Sequence, residues 1–226
     1  SLLMMWAFPV FIAPLFNKFS ALEDESLKTR IDNLLQRCGF KSKGVFVVDG
    51  SKRSAHGNAY FTGFGSNKRI VFYDTLLESL SENEVEAVLA HELGHFKRNH
   101  IKKSLALSIL MTLGGFALLA WLMNSAWFYS AMGVETASTH TALLLFMFVL
   151  PVFTYFISPL FSAMSRKHEF EADDFAKQQS DYRALVSALV NMYRENASTL
   201  TPDPIHSMFY DSHPPASIRI SHLESN

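Results

Sequence analysis

Only one of the 226 residues is a cysteine, Cys38, so no internal disulfide can form. A lone thiol beside Gly39, at an expected helix end, reads as a packing residue and fits a reducing compartment. Charge is also scarce. Charged residues make up 18% of the chain and nearly cancel, with a formal net charge of −1. That balance leaves no electrostatic footprint for nucleic acid, and no nucleic-acid partner is expected. Internal repeats and low-complexity tracts are absent. A cleavable signal peptide is not evident, because residues 1–19 are apolar and aromatic but carry no basic start. They read as the end of a membrane segment. Hydrophobic residues, in contrast, reach 49%, a composition that leans towards a membrane protein.

Local signals divide the rest. Ser20-Ala21-Leu22-Glu23 has the form of a capping box, opening a helix with Leu27, Ile31, Leu34 and Leu35 on one stripe and Gly39 at its end. Residues 44–49, 58–64 and 69–73 read as strands, with a turn at 49–51 and a hairpin turn at 65–67. A short helix is expected over 74–80. Ser81 and Glu84 form a second capping box before a longer helix.

Residues 104–123 carry no charge and match the roughly 20 residues that cross a bilayer. Residues 141–163 are a second such stretch, containing Pro151 and Pro159, which membrane helices tolerate. Lys97, Arg98, Lys102 and Lys103 precede the first stretch, and Arg166 and Lys167 follow the second. The loop between them, 124–140, has neither Lys nor Arg. The positive-inside rule therefore puts that loop outside the cytosol and its flanks inside. Trp121, Trp127, Phe128 and Tyr129 fall where an interfacial aromatic belt would lie.

The chemistry centres on His91-Glu92-Leu93-Gly94-His95, an H-E-x-x-H pattern in a helical context. Its spacing sets both histidines on one face, able to bind one Zn²⁺, with Glu92 beside them to take a proton from the attacking water. Two histidines leave a catalytic site one protein ligand short. The apolar hairpin returns the chain to the same side of the membrane, delivering residues 166–174 near the histidines. The acidic candidates are Glu169, Glu171, Asp173 and Asp174. Glu169 and Asp173 share a face, so one can ligate while the other orients a histidine. Spacing alone does not choose among the four.

His91-Glu-x-x-His95 followed by Ser165-Arg-x-x-Glu169-Phe-x-Ala-Asp173 resembles the integral-membrane CAAX prenyl protease family of zinc metallopeptidases. Ile12-Ala-Pro-Leu-Phe16, Ser51-Lys-Arg-Ser54, Asn58-Ala-Tyr-Phe61, Lys68-Arg-Ile-Val71, Asp74-Thr-Leu-Leu77 and Ser212-His-Pro-Pro215 are similar to it as well. The resemblance implies an α+β fold. It would be a zincin-like (gluzincin) metalloprotease core with a small antiparallel sheet, plus a transmembrane helical hairpin. It implies one Zn²⁺ held by His91, His95 and Glu169, with Glu92 as general base and Asp173 behind a ligand histidine. Asn58, Ala59, Tyr60 and Phe61 would form an edge strand that pairs with an extended peptide. His213 and Arg219 would stabilise the oxyanion or hold a peptide carboxylate. Family members carry further membrane helices before the region equivalent to Ser1, and the chain, which lacks them, is expected to be a fragment or a deliberately reduced form.

The expected organisation is therefore 1–19 as the end of a membrane segment and 20–103 as the catalytic part with the H-E-x-x-H helix. Residues 104–163 would be the transmembrane hairpin, and 164–226 the third-ligand helix and C-terminal catalytic part. The expected function is a zinc endopeptidase removing the C-terminal tripeptide of prenylated C-a-a-X proteins. The enzyme would be integral to a bacterial inner membrane or an endoplasmic-reticulum-type membrane, its catalytic side facing the cytosol, with the bilayer and a peptide or protein substrate as partners. Two alternatives carry different biology. One is a quality-control metalloprotease of the heat-shock membrane type. The other is a non-catalytic metal-binding membrane scaffold, against which Glu92 argues, since a structural metal site has no use for a carboxylate there.

Overall fold

The structure is a computed structural model and describes residues 11–54, 56–62, 68–195, 199 and 202–225. Three expectations therefore fall partly or wholly outside the described residues: the opening segment over 1–19, the strand over 58–64 and the hairpin turn at 65–67. Packing divides the chain into two units. One comprises Ser1–Arg98, Glu169–Pro202 and Pro214–Asn226, the other Asn99–His168 and Asp203–His213.

The first unit begins with α1 (Ala13–Phe16), β1 (Phe19–Ala21) and α2 (Glu25–Arg37). The Ser20–Glu23 pattern does not cap α2. Ser20 and Ala21 are drawn into β1, which pairs antiparallel with β2 (Val45–Val48), and the cap is Asp24, whose carboxylate accepts from Leu27 N at 3.0 Å. Pairing with β2 satisfies that stretch's backbone groups, which leaves the next acceptor side chain to start the helix. Gly39 ends α2 at φ +63°, as expected of a glycine beyond a helix C-terminus.

A 3₁₀ turn (Gly50–Lys52) stands at the expected turn, followed by β3 (Ala59–Thr62) and β4 (Arg69–Tyr73). The sheet order is β1-β2-β4-β3. The sheet is mixed, where an antiparallel one was expected. β3 and β4 pair antiparallel, but β2 and β4 pair parallel, Val45 opposite Ile70 through Val48 opposite Tyr73. β4 is buried on Ile70, Val71 and Phe72, so it takes the centre of the sheet and leaves β3 at an edge.

α3 (Asp74–Ser79) and α4 (Glu82–Lys97) follow. α2 and α4 join through a core that includes Ile31, Leu34, Val85 and Leu89. Arg30 pairs with Glu82 and Glu86, and Arg37 with Glu86, at the rim of that contact. α8 (Tyr182–Glu195) adds Leu185 and Leu189 to the same core, and α10 (Ala216–Glu224) adds Leu223.

The second unit holds α5 (His100–Met123), α6 (Ala126–Ala131) and α9 (Pro204–Tyr210), with the first part of α7 (Thr139–Gln179). α7 is unbroken from the apolar stretch to the acidic segment. α5 and α7 are long and apolar enough to cross a membrane, and almost nothing in their apolar windows is buried. Pro159 removes the N–H that would bond the Tyr155 carbonyl, and the Ser158 hydroxyl donates to that carbonyl at 2.8 Å.

Candidate metal centre

The site is built on α4. Its start is fixed by the expected capping box: Ser81 N donates to Glu84 Oε2 at 2.7 Å, while the Ser81 side chain serves the third backbone N–H. One helical turn separates His91 from His95, and their Nε2 atoms are 3.1 Å apart. His91 is buried and His95 half-buried. Glu92 is the next residue on the helix and is half-buried.

α7 supplies the acidic partners because it can approach α4 unusually closely. A Cβ on Gly94 would lie 2.9 Å from the Ala172 Cα and 3.0 Å from its carbonyl oxygen. Glycine removes that obstacle, and Ala172 keeps the opposing surface small. The approach brings Glu169 Oε1 to 3.3 Å from His95 Nε2 and Oε2 to 3.5 Å from His91 Nε2. Among the described residues this is the one grouping of at least three His, Cys, Asp or Glu whose donor atoms converge, all within 4.8 Å of one another. Ligands about 2.0–2.1 Å from a tetrahedral ion stand about 3.3–3.4 Å from each other. The Glu169 carboxylate turns a different oxygen to each histidine, and among the described residues no hydrogen bond reaches its buried Oε2, so two imidazoles and a carboxylate converge as a metal would need.

Asp173, fully buried, holds the geometry from behind. Its Oδ1 accepts from His91 Nδ1 at 2.8 Å, which leaves the Nε2 lone pair aimed at the ligand position. Arg219, also buried, forks onto the same carboxylate. Its Nε donates to Oδ2 at 2.8 Å and its Nη2 donates to Oδ1, while Nη1 stands 3.5 Å from Glu169 Oε2. Burial alone would lower the His91 pKa, but the facing Asp173 and Glu169 carboxylates outweigh it and hold the imidazole above its ordinary value. The pocket thus favours positive charge where a cation would sit. Burial likewise works against the Arg219 charge, and Asp173 and Glu169 more than offset it.

The other acidic candidates lie elsewhere. Asp174 meets His222 Nε2 at 2.7 Å, and Glu171 is outside the converging group. Arg219, expected at the oxyanion or a peptide carboxylate, directs its guanidinium to Asp173. His213 belongs to the second unit, where its Nδ1 is 3.0 Å from Ser212 Oγ. Asn58 precedes β3; its carbonyl accepts from Tyr73 N at 2.9 Å, and its Oδ1 caps Ala59 N at 2.8 Å. Ala59, Tyr60 and Phe61 are half-buried residues on the edge strand, with Tyr60 pushed up to about 12, first by burial and then by its neighbour Tyr73. The contact between Gly94 and Ala172 was not read from the sequence. Its signal was two small residues, one inside each motif.

The profile of peptidase family M48 matches residues 21–226. A CAAX prenyl protease 1 homolog of rice is 42% identical over 228 residues, covering 99% of this chain and 53% of the rice protein. CAAX prenyl protease 1 of Saccharomyces cerevisiae is 40% identical over 241 residues, again 99% and 53%. A crystal structure of S. mikatae Ste24p superposes with a TM-score of 0.89 at 38% identity, covering 99% of this chain and 56% of that one. The chain spans about half the length of the curated relatives it matches.

Proposed function

The chain belongs to peptidase family M48, and from that footing we propose that it is a zinc-dependent membrane endopeptidase acting on prenylated C-a-a-X proteins. The observation that carries this reading is the convergence of His91 Nε2, His95 Nε2 and the Glu169 carboxylate, whose donor atoms lie within 4.8 Å of one another. Two imidazoles and a carboxylate leave a fourth position open, the pattern of a catalytic zinc site rather than a structural one.

When bound there, Zn²⁺ supplies Lewis acidity to the scissile carbonyl and to the attacking water. The chain's own residues do the rest. Glu92 takes the proton of that water and passes it to the leaving amine. Asp173 keeps His91 in the tautomer that presents Nε2, and Arg219 holds Asp173 in place. β3 offers its outer edge to an extended substrate, whose backbone adds to the sheet beside Ala59, Tyr60 and Phe61.

The lipidated substrate accounts for the apolar helices. α5 and α7 expose large side chains such as Leu110, Phe116, Phe148 and Phe156 along lengths that suit a bilayer. The Ser158 hydroxyl on the carbonyl freed by Pro159 is the repair that a membrane helix needs. The basic flanks of the pair face the cytosol, and so does the metal centre.

The decisive experiment compares zinc content and peptide cleavage in the wild type and Glu169→Ala. One zinc per chain, with cleavage of a farnesylated C-a-a-X peptide and loss of both in the variant, is the expected result. Equal cleavage of the unprenylated peptide would move the function to quality control. Full zinc retention in Glu169→Ala would remove Glu169 as a ligand.

A further inference from the structure

The helix α9 has no role in the chemistry above, yet it is fastened to α7 by a ring stack and by hydrogen bonds from Ser162 and Arg166. The Phe209 ring stacks on Tyr155, centroids 5.2 Å apart and 22° from parallel. Ser162 Oγ donates to the Phe209 carbonyl at 3.2 Å. Arg166 Nη1 reaches the carbonyls of Ser207, Met208 and Asp211 at 3.2, 3.4 and 2.9 Å. These contacts span twelve residues of α7, Tyr155 to Arg166, about 16 Å along a helix axis. Arg166 is the first charged residue after the apolar stretch. Tyr155 and Ser162 lie inside that stretch.

We propose that α9 is a membrane-immersed segment docked on α7, with its exposed apolar side chains in contact with lipid acyl chains. The proposal rests on the reading of α7 as membrane-spanning. Depth is the first argument: a helix bonded to α7 at 155 and 162 sits below the polar boundary that Arg166 marks. The second is backbone satisfaction. A helix end leaves carbonyls and N–H groups without intrahelical partners, and hydrocarbon gives them none. In α9 the Asp203 carboxylate takes Ile205 N and His206 N, both at 2.9 Å, while Arg166 and Ser162 take carbonyls at the other end. The third is exposure. Ile205 (68% exposed), Met208 and Tyr210 on α9 are open to the surroundings, as are Phe153, Phe156 and Leu160 on α7. Asp203 and Asp211 bracket the segment, so its two ends reach the polar zone and its middle dips below.

The test attaches a bimane fluorophore to Ile205→Cys or Met208→Cys in a Cys38→Ala background, with the full chain in phosphatidylcholine vesicles. Phe148→Cys, exposed in the apolar part of α7, and Glu224→Cys, exposed on α10, are references. The expected result is quenching at 205 and 208 by lipids carrying an acyl-chain nitroxide, as at Phe148→Cys, with no quenching by aqueous iodide. Iodide quenching at 205 and 208 as at Glu224→Cys, while Phe148→Cys answers only to lipid, would overturn the proposal and leave α7 in the membrane. Iodide quenching at Phe148→Cys as well would overturn both readings.

Discussion

Gly94 and Ala172 touch across two helices at a separation that no side chain on residue 94 would allow, a Cβ there falling 2.9 Å from the Ala172 Cα. That contact sets the distance between the histidines on α4 and Glu169 on α7.

Gly94→Ala therefore forces α7 outward. The expected cost is about 1–3 kcal/mol of stability, as for other overpacked positions, together with weaker zinc binding. Gly114→Ala is the control, because a Cβ there meets nothing within 4 Å. Thermal melts and zinc competition with a chelator check both. A Gly94→Ala protein indistinguishable from wild type in both would refute the spacing argument.

Glu92→Gln keeps the shape of the side chain and removes the base. Cleavage should fall by roughly 10²–10⁴-fold, the usual contribution of general acid–base catalysis, while zinc stays bound. Metal analysis beside the kinetics distinguishes this from loss of the site, and unimpaired turnover would rule Glu92 out as the base.

Asp173→Asn should lower zinc affinity by roughly 10–100-fold, since it loosens the group that orients His91. Arg219→Met leaves the buried Asp173 charge with His91 Nδ1 as its remaining partner, at an expected cost of about 3–5 kcal/mol in the metal-free protein. The double variant Asp173→Leu, Arg219→Met should cost less than Arg219→Met alone. Strictly additive losses would show that the two side chains are not energetically coupled.

A pH effect should arise far from the metal. Burial alone would raise the Glu84 pKa, but the hydrogen bonds from Ser187, Ser81 and Asn191 outweigh it and hold it below the ordinary carboxylate value. Its contribution is then complete above the unfolded value of about 4.3 and is lost as pH falls through the lower folded value. Metal-free wild type should lose melting temperature on acidification over that range. Glu84→Gln should start less stable and show a shallower dependence, and parallel curves for the two would contradict the assignment.

Much of this site was legible in the sequence, for reasons that differ by residue. His91, Glu92 and His95 lie within one helical turn, where spacing alone fixes geometry. Glu169 and Asp173 form a second local pattern, but which of four carboxylates faces both histidines is decided by how α7 meets α4. That meeting depends on a glycine whose neighbour is 78 positions away in the chain. The strands were legible as segments, yet not the parallel pairing of β2 with β4, because register across an intervening strand is a tertiary matter. The Ser20–Glu23 box misled because strand pairing claimed its residues before a helix could. Arg219 was visible only as a lone cation, and its partner Asp173 is set by the packing of α10 on the site.

α7 carries both the apolar stretch and Glu169 on one unbroken helix. A water-soluble peptidase cannot then be obtained by trimming the chain at the membrane. Deleting residues 104–163 would leave Glu169 in the opening turns of a shortened helix, where backbone N–H groups lack partners and the chain frays. The third donor would lose the upstream turns that hold it still, so solubility and metal binding are opposed demands on the same stretch of polypeptide.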